Sequence, residues 1–184
     1  ILLSRTLNII STIKSRTIKF HLSGMNNDEL GVSKEIYYFF DGNENDILEF
    51  KRQNLSFDDI QFQVNTVEDI LQIIFEMKNY TAGELAIKNN LDLTIKYNKS
   101  VELLARRIRF WDIENVYFFV NEIENELKKE KEFLINFLSK IIISVKYSVD
   151  SEDLKKLINL KNSIRNNVNV KSVIFNFFDI LQSS

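Results

Sequence analysis

Ile1-Leu2-Leu3-Ser4-Arg5-Thr6-Leu7-Asn8-Ile9-Ile10-Ser11-Thr12-Ile13-Lys14-Ser15-Arg16-Thr17-Ile18-Lys19-Phe20-His21-Leu22 opens the chain. The apolar run at Ile1 to Leu3 predicts a buried strand, Ile9 to Arg16 a short amphipathic helix ending in Ser-Arg, and the alternation from Ile18 to Leu22 a second strand. Two strands and one helix are too little to form a sheet domain alone. The stretch is therefore expected to be a remnant of a larger α/β core. His21 alternates with apolar neighbours and has no acid partner legible nearby, which makes it an incidental strand residue.

The string Ile9 to Phe20 resembles the Leu-Leu-Pro-Thr-Ile-x-Ser-Arg-Cys segment of clamp-loader AAA+ proteins, with Thr12, Ile13, Ser15 and Arg16 in register. Ser11 stands in place of the usual Pro and Thr17 in place of the Cys. Two later segments point the same way. Tyr37 to Leu48, with Asp41-Gly42-Asn43 at its centre, is similar to the turn between lid helices of the bacterial delta prime and gamma/tau subunits. A Gly-Asn step gives the permissive backbone such a connection needs. Leu154 to Leu181 resembles the closing helix pair of the delta prime collar, with Ile164, Asn169 and an apolar stripe of Val173, Ile174, Phe177, Phe178 and Leu181.

The resemblance implies a C-terminal part of a delta-prime-like clamp-loader subunit of bacterial DNA polymerase III. Its implied parts are the end of an AAA+ core (1–22), a shortened helical lid (23–52) and an all-helical collar (53–184) for oligomerisation. Arg16 would be the catalytic group, an arginine finger reaching ATP and Mg held by a neighbouring subunit, with Ser15 and Thr17 bracing the turn that aims it. A guanidinium suits the task because it stays charged and presents a rigid fork to phosphate oxygens. The competing reading of Arg16 is an ion pair at the end of a short helix. The stripe from Val173 to Leu181 is expected to serve assembly. Partners would be the other loader subunits, gamma/tau and delta, and through the complex the sliding clamp and primed DNA. This chain itself is expected to bind no cofactor and hydrolyse nothing, since neither Walker A nor Walker B can be found in it. A gamma/tau-like motor subunit and a helical adaptor unrelated to ATP are the alternatives. An upstream Gly-rich loop ending in Lys-Ser/Thr would identify the motor.

Composition bounds these expectations. With 184 residues, 45% of them hydrophobic, the chain can bury a core of its own. Fifteen Phe, three Ala and no Pro reflect an AT-rich gene more than a choice of fold. No Cys and a single His exclude a disulfide framework and a thiolate zinc site such as the family's N-terminal module. The longest apolar stretch, Phe133 to Val145, is interrupted by Asn136, Ser139 and Lys140 and is too short to span a bilayer. With no targeting segment legible, a cytoplasmic location is the expectation.

The net charge of −2 is unevenly spread. Residues 1–22 carry four bases and no acid, residues 23–65 nine acids against three bases, and the remainder seventeen of each. That balance disfavours a broad nucleic-acid footprint.

Beyond residue 53 the pattern is helical nearly throughout. Thr66 and Asp69 read as a capping pair ahead of the apolar face Ile70, Leu71, Ile73, Ile74 and Met77. Further helices are expected at 82–89, 101–110, 114–128, 132–146, from Asp150 or Ser151, and at 170–181. Short connections between them argue for a bundle. Glu124 and Lys128 should pair on a solvated surface. The acid pairs Asp58-Asp59 and Glu152-Asp153 read as turn and helix-start residues. Trp111, beside Arg106, Arg107 and Arg109, reads as a helix-end core aromatic, with cation stacking or a subunit contact as the alternative.

Overall fold

A computed structural model describes residues 24–56, 62–82, 90–166 and 168–184. The expected α/β remnant, with Ser15, Arg16, Thr17 and His21, lies outside the described residues, as do Asp58 and Asp59. Within them the protein is mainly helical and contains no strand. The helices are α1 (Asn27–Leu30), α2 (Lys34–Phe39), α3 (Glu44–Arg52), α4 (Val67–Ala82), α5 (Leu91–Arg107), α6 (Ile113–Leu127), α7 (Lys131–Val145), α8 (Ser151–Ser163) and α9 (Val170–Ser183), with a 3-10 turn at Ile108–Phe110. No described helix is long and apolar enough to cross a membrane.

Without proline at first helical turns, side-chain caps start all of these helices except α7, which Glu130 precedes without a cap hydrogen bond. Asn26, Ser33, Asn43, Asn90, Asp112, Asp150 and Asn169 each accept a backbone N–H from the first turn they precede. At α4 the expected capping box is present. Asp69 N–H donates to Thr66 Oγ1 at 3.1 Å, and the Asp69 carboxylate accepts from the N–H groups of Asn65 and Thr66, both at 2.9 Å. Those two N–H groups hold the Asp69 carboxyl below its ordinary value. A lowered carboxyl stabilises the fold above its unfolded pKa, and the contribution is lost as pH falls through the folded value. Thr66→Ala is expected to lower stability by about 1 kcal/mol, read as a shift of the urea midpoint with unchanged slope.

Helices α2 and α3 form a hairpin whose turn passes through the left-handed region at Asp41 (φ 51°) and Gly42 (φ 69°). A Cβ at Gly42 would lie 2.8 Å from Tyr37 Oη and 2.9 Å from its Cζ. Both conformation and space require glycine there. Gly42→Ala should cost about 1–2 kcal/mol from the backbone alone, measurable by chemical denaturation.

Two apolar clusters result. In the smaller, Leu30, Phe40, Ile47 and Phe50 close on Leu91 and Ile95 from the first turns of α5. The short helices α1 to α3 therefore share their core with the bundle that follows them. The larger cluster fills the space inside α4 to α9. There α4 packs on α5, α5 on α7, α7 on α8, α8 on α9, α9 on α6 and α6 on α4, so that six helices close a ring. At its centre Phe119 meets Phe178 edge-on at 5.4 Å, and Phe178 meets Phe177 at 5.7 Å.

Helix α5 begins about ten residues before the expected start at 101. Its earlier half presents Thr94, Asn98 and Ser100 to the interior, and these buried polar side chains break the apolar period a sequence reading relies on. The helix expected at 82–89 falls almost wholly outside the described residues, where α4 ends at Ala82. Elsewhere the expected bounds agree to within two residues, and Glu124 pairs with Lys128 at 3.7 Å.

Candidate functional site

Among the described residues a polar cluster that helix capping does not explain lies where the α2–α3 hairpin meets the bundle. Asn98, on α5, donates from Nδ2 to the carbonyl of Phe39 at 2.7 Å. Lys140, on α7, pairs through Nζ with the carboxylate of Asp41 at the hairpin turn. The same ammonium stands 5.9 Å from the centre of the Tyr97 ring. One turn and a half further along, Lys146 lies over Tyr38 at 5.4 Å and over Tyr147 at 4.7 Å. Two bundle helices thus grip the end of α2 and the turn after it.

Burial sets the electrostatics. The Tyr97 phenol is pushed up, first by burial and then by the Asp41 carboxylate, so it stays neutral at any working pH. Glu102, half-buried beside Asn98 on α5, is raised from its ordinary 4.5 chiefly by burial, against the attraction of Arg106, Lys140 and Lys99 and with Glu35 adding to the rise. For a raised carboxyl the ionised form is the costly one, and stability grows as pH falls through the folded value toward the unfolded one. Glu102→Gln should therefore be more stable than wild type at neutral pH and should lose that gain on acidification. Thermal unfolding followed between neutral pH and 4.5 checks the sign.

Asn98 and Ser100 are 5% and 0% exposed, and neither Asn98 Oδ1 nor Ser100 Oγ finds a hydrogen-bond partner among the described residues. A cavity of about 40 Å³ adjoins Asn98, Glu102 and Lys140, enough for one ordered water. The chemistry available is positional. Among the described residues no group of His, Cys, Asp and Glu could hold a metal ion, and the cluster pairs one cation with one carboxylate and one amide with one carbonyl. Lys140 and Asp41 are partly solvated, at 21% and 45% side-chain exposure. Such a pair contributes about 0–1 kcal/mol, so it sets the hairpin's angle more than it holds the fold.

Of the residues expected to serve function, Arg16, Ser15 and Thr17 lie outside the described residues. Val173, Ile174, Phe177, Phe178 and Leu181 are all buried in the core of this chain. Any part they have in assembly runs through the shape of the bundle. Trp111 is a half-buried core aromatic, edge-on to Phe119 at 5.4 Å, with its carbonyl accepting from Gln182 Nε2 at 2.8 Å. Glu152 and Asp153 stand in the first turn of α8 and both pair with Lys156. Sequence reasoning missed Asn98, Lys140 and Asp41. The only local signal was a polar residue on an apolar helix face. Comparison of the chain with protein-family models, with curated proteins and with solved structures found no match.

Proposed function

We propose that the chain is the assembly part of a clamp-loader subunit of the delta prime type, supporting ATP-dependent loading of a sliding clamp in DNA replication. The observation that carries the reading is an order of parts along one chain. A Ser-Arg segment at Ser15-Arg16 comes first, a short helical hairpin at 34–52 second, and a six-helix bundle last. In a loader, that order lets a nucleotide-linked movement near the first part reach the last through the second. The grip of Asn98 and Lys140 on the hairpin supplies a coupling of this kind. On this reading the chain provides Arg16 to ATP and Mg on a neighbouring gamma/tau subunit, contacts delta through the bundle, and meets clamp and primed DNA only within the complex.

The testing experiment mixes the full-length protein with gamma/tau and delta from the same source. A stoichiometric complex by sedimentation is expected, and three components that sediment separately would remove the assignment. A helical adaptor without ATP is favoured by one observation, an open acid-rimmed groove between α4 and α6.

A further inference from the structure

The groove between α4 and α6 has a volume of about 380 Å³ and is independent of the clamp-loader reading. Its α4 wall is one stripe of the helix, with Glu68, Leu71, Gln72, Phe75, Glu76 and Asn79 recurring at steps of three and one. Those positions span about 16 Å along the axis, the length of three helical turns. Phe118 and Glu122 on α6 form the other wall. The floor is apolar, running from buried Leu71 through half-buried Phe75 to Phe118, which is 39% exposed. Lys78 on α4 reaches Glu126 on α6 at 3.0 Å and fixes the spacing of the two walls.

Charge says what would cover it. Three of the residues lining the groove are acids and none is a base. Among the described residues Glu76 accepts only from Gln72, at 2.9 Å, and no ion pair reaches Glu68, Glu76 or Glu122. An acidic rim repels phosphate, which disfavours nucleic acid and anionic lipid surfaces. A second copy docked about a two-fold axis would bring the same acids face to face. What complements the surface is a helix with one apolar stripe flanked by cations, the helix-in-groove mode.

We propose that the α4–α6 groove docks an amphipathic helix of a partner protein, its apolar stripe on Leu71, Phe75 and Phe118 and its lysines or arginines beside Glu68, Glu76 and Glu122. The test uses the full chain and two capped synthetic peptides of about five helical turns, with identical leucine stripes and either lysine or glutamate at every other position. Titration by fluorescence anisotropy should give micromolar binding of the lysine peptide and binding at least about tenfold weaker for the glutamate peptide. Glu76→Lys with Glu122→Lys should weaken the lysine peptide about tenfold. The exposed pair Glu132→Lys with Asp179→Lys, outside the groove lining, should change it by less than about twofold. Phe118→Ala, at a partly exposed position that should leave folding intact by circular dichroism, should also weaken binding. No binding of the lysine peptide, equal binding of both peptides, or an equal effect of the two reversed pairs overturns the proposal. So does a dimer in sedimentation that dissociates on Phe118→Ala, which would assign the groove to self-association.

Discussion

Phe178→Ala is expected to lower the unfolding free energy by about 3–5 kcal/mol. Phe178 is 0% exposed, and its ring meets both Phe119 of α6 and Phe177 of its own helix edge-on. Removing it leaves a void where α9 closes on α6, and neighbours held by a closed ring of helices can collapse into such a void only in part. Domains are stable by about 5–15 kcal/mol in all, so a loss of this size brings the variant near its unfolding threshold at physiological temperature. Urea unfolding with an unchanged slope is the measurement, and Phe118→Ala, on the solvent side of α6, is the control, with a loss of about 0.5 kcal/mol. A Phe178→Ala loss no larger than that control would mean α9 is not packed as described. The same variant bears on assembly. If the stripe from Val173 to Leu181 matters only through the fold, assembly should fall with the folded fraction, and Phe178→Leu, which keeps most of the volume, should retain it.

How far the fold was legible depended on what marks each element. Helices that begin at an Asn, Asp, Ser or Thr and keep an uninterrupted apolar stripe were readable to within two residues, because cap and period are both local signals. Thr66 with Asp69 ahead of α4, Asp150 ahead of α8 and Asn169 ahead of α9 are of this kind. The first half of α5 failed for the converse reason. Thr94, Asn98 and Ser100 face inward there, and Asn98 does so because the carbonyl it satisfies belongs to Phe39, fifty-nine residues earlier. Nothing local can encode a partner that distant.

The joint between hairpin and bundle was illegible on the same ground. Asp41 and Lys140 are ninety-nine residues apart, and each alone reads as a solvated surface charge. Likewise the groove combines Phe75 with Phe118, residues whose separate sequences look like the ordinary edges of two amphipathic helices. Packing α4 against α6 creates the concavity, and that packing is a property of the closed ring.

Arg16→Ala in the full-length protein is expected to leave assembly intact and to slow hydrolysis at the one ATP site the arginine serves by on the order of 10³-fold. The expectation rests on charge. As the bond to the γ-phosphate breaks, negative charge gathers on oxygens that water solvates poorly inside a subunit interface, and a guanidinium held there stabilises the transition state more than the ground state. Arg16→Lys should rescue little, because an ammonium offers a point charge where a guanidinium fork can make two parallel hydrogen bonds to a phosphate. If the proposed complex has several ATP sites, its total turnover would fall only by that site's share, so a single-turnover measurement on a complex with one functional site is the cleaner readout. Phe178→Ala separates the two ways activity could be lost, because it should remove complex and turnover together, whereas Arg16→Ala should remove turnover from a complex of normal mass. Equal single-turnover rates for wild type and Arg16→Ala would remove the arginine-finger assignment and leave Arg16 to the competing reading, an ion pair at the end of a short helix.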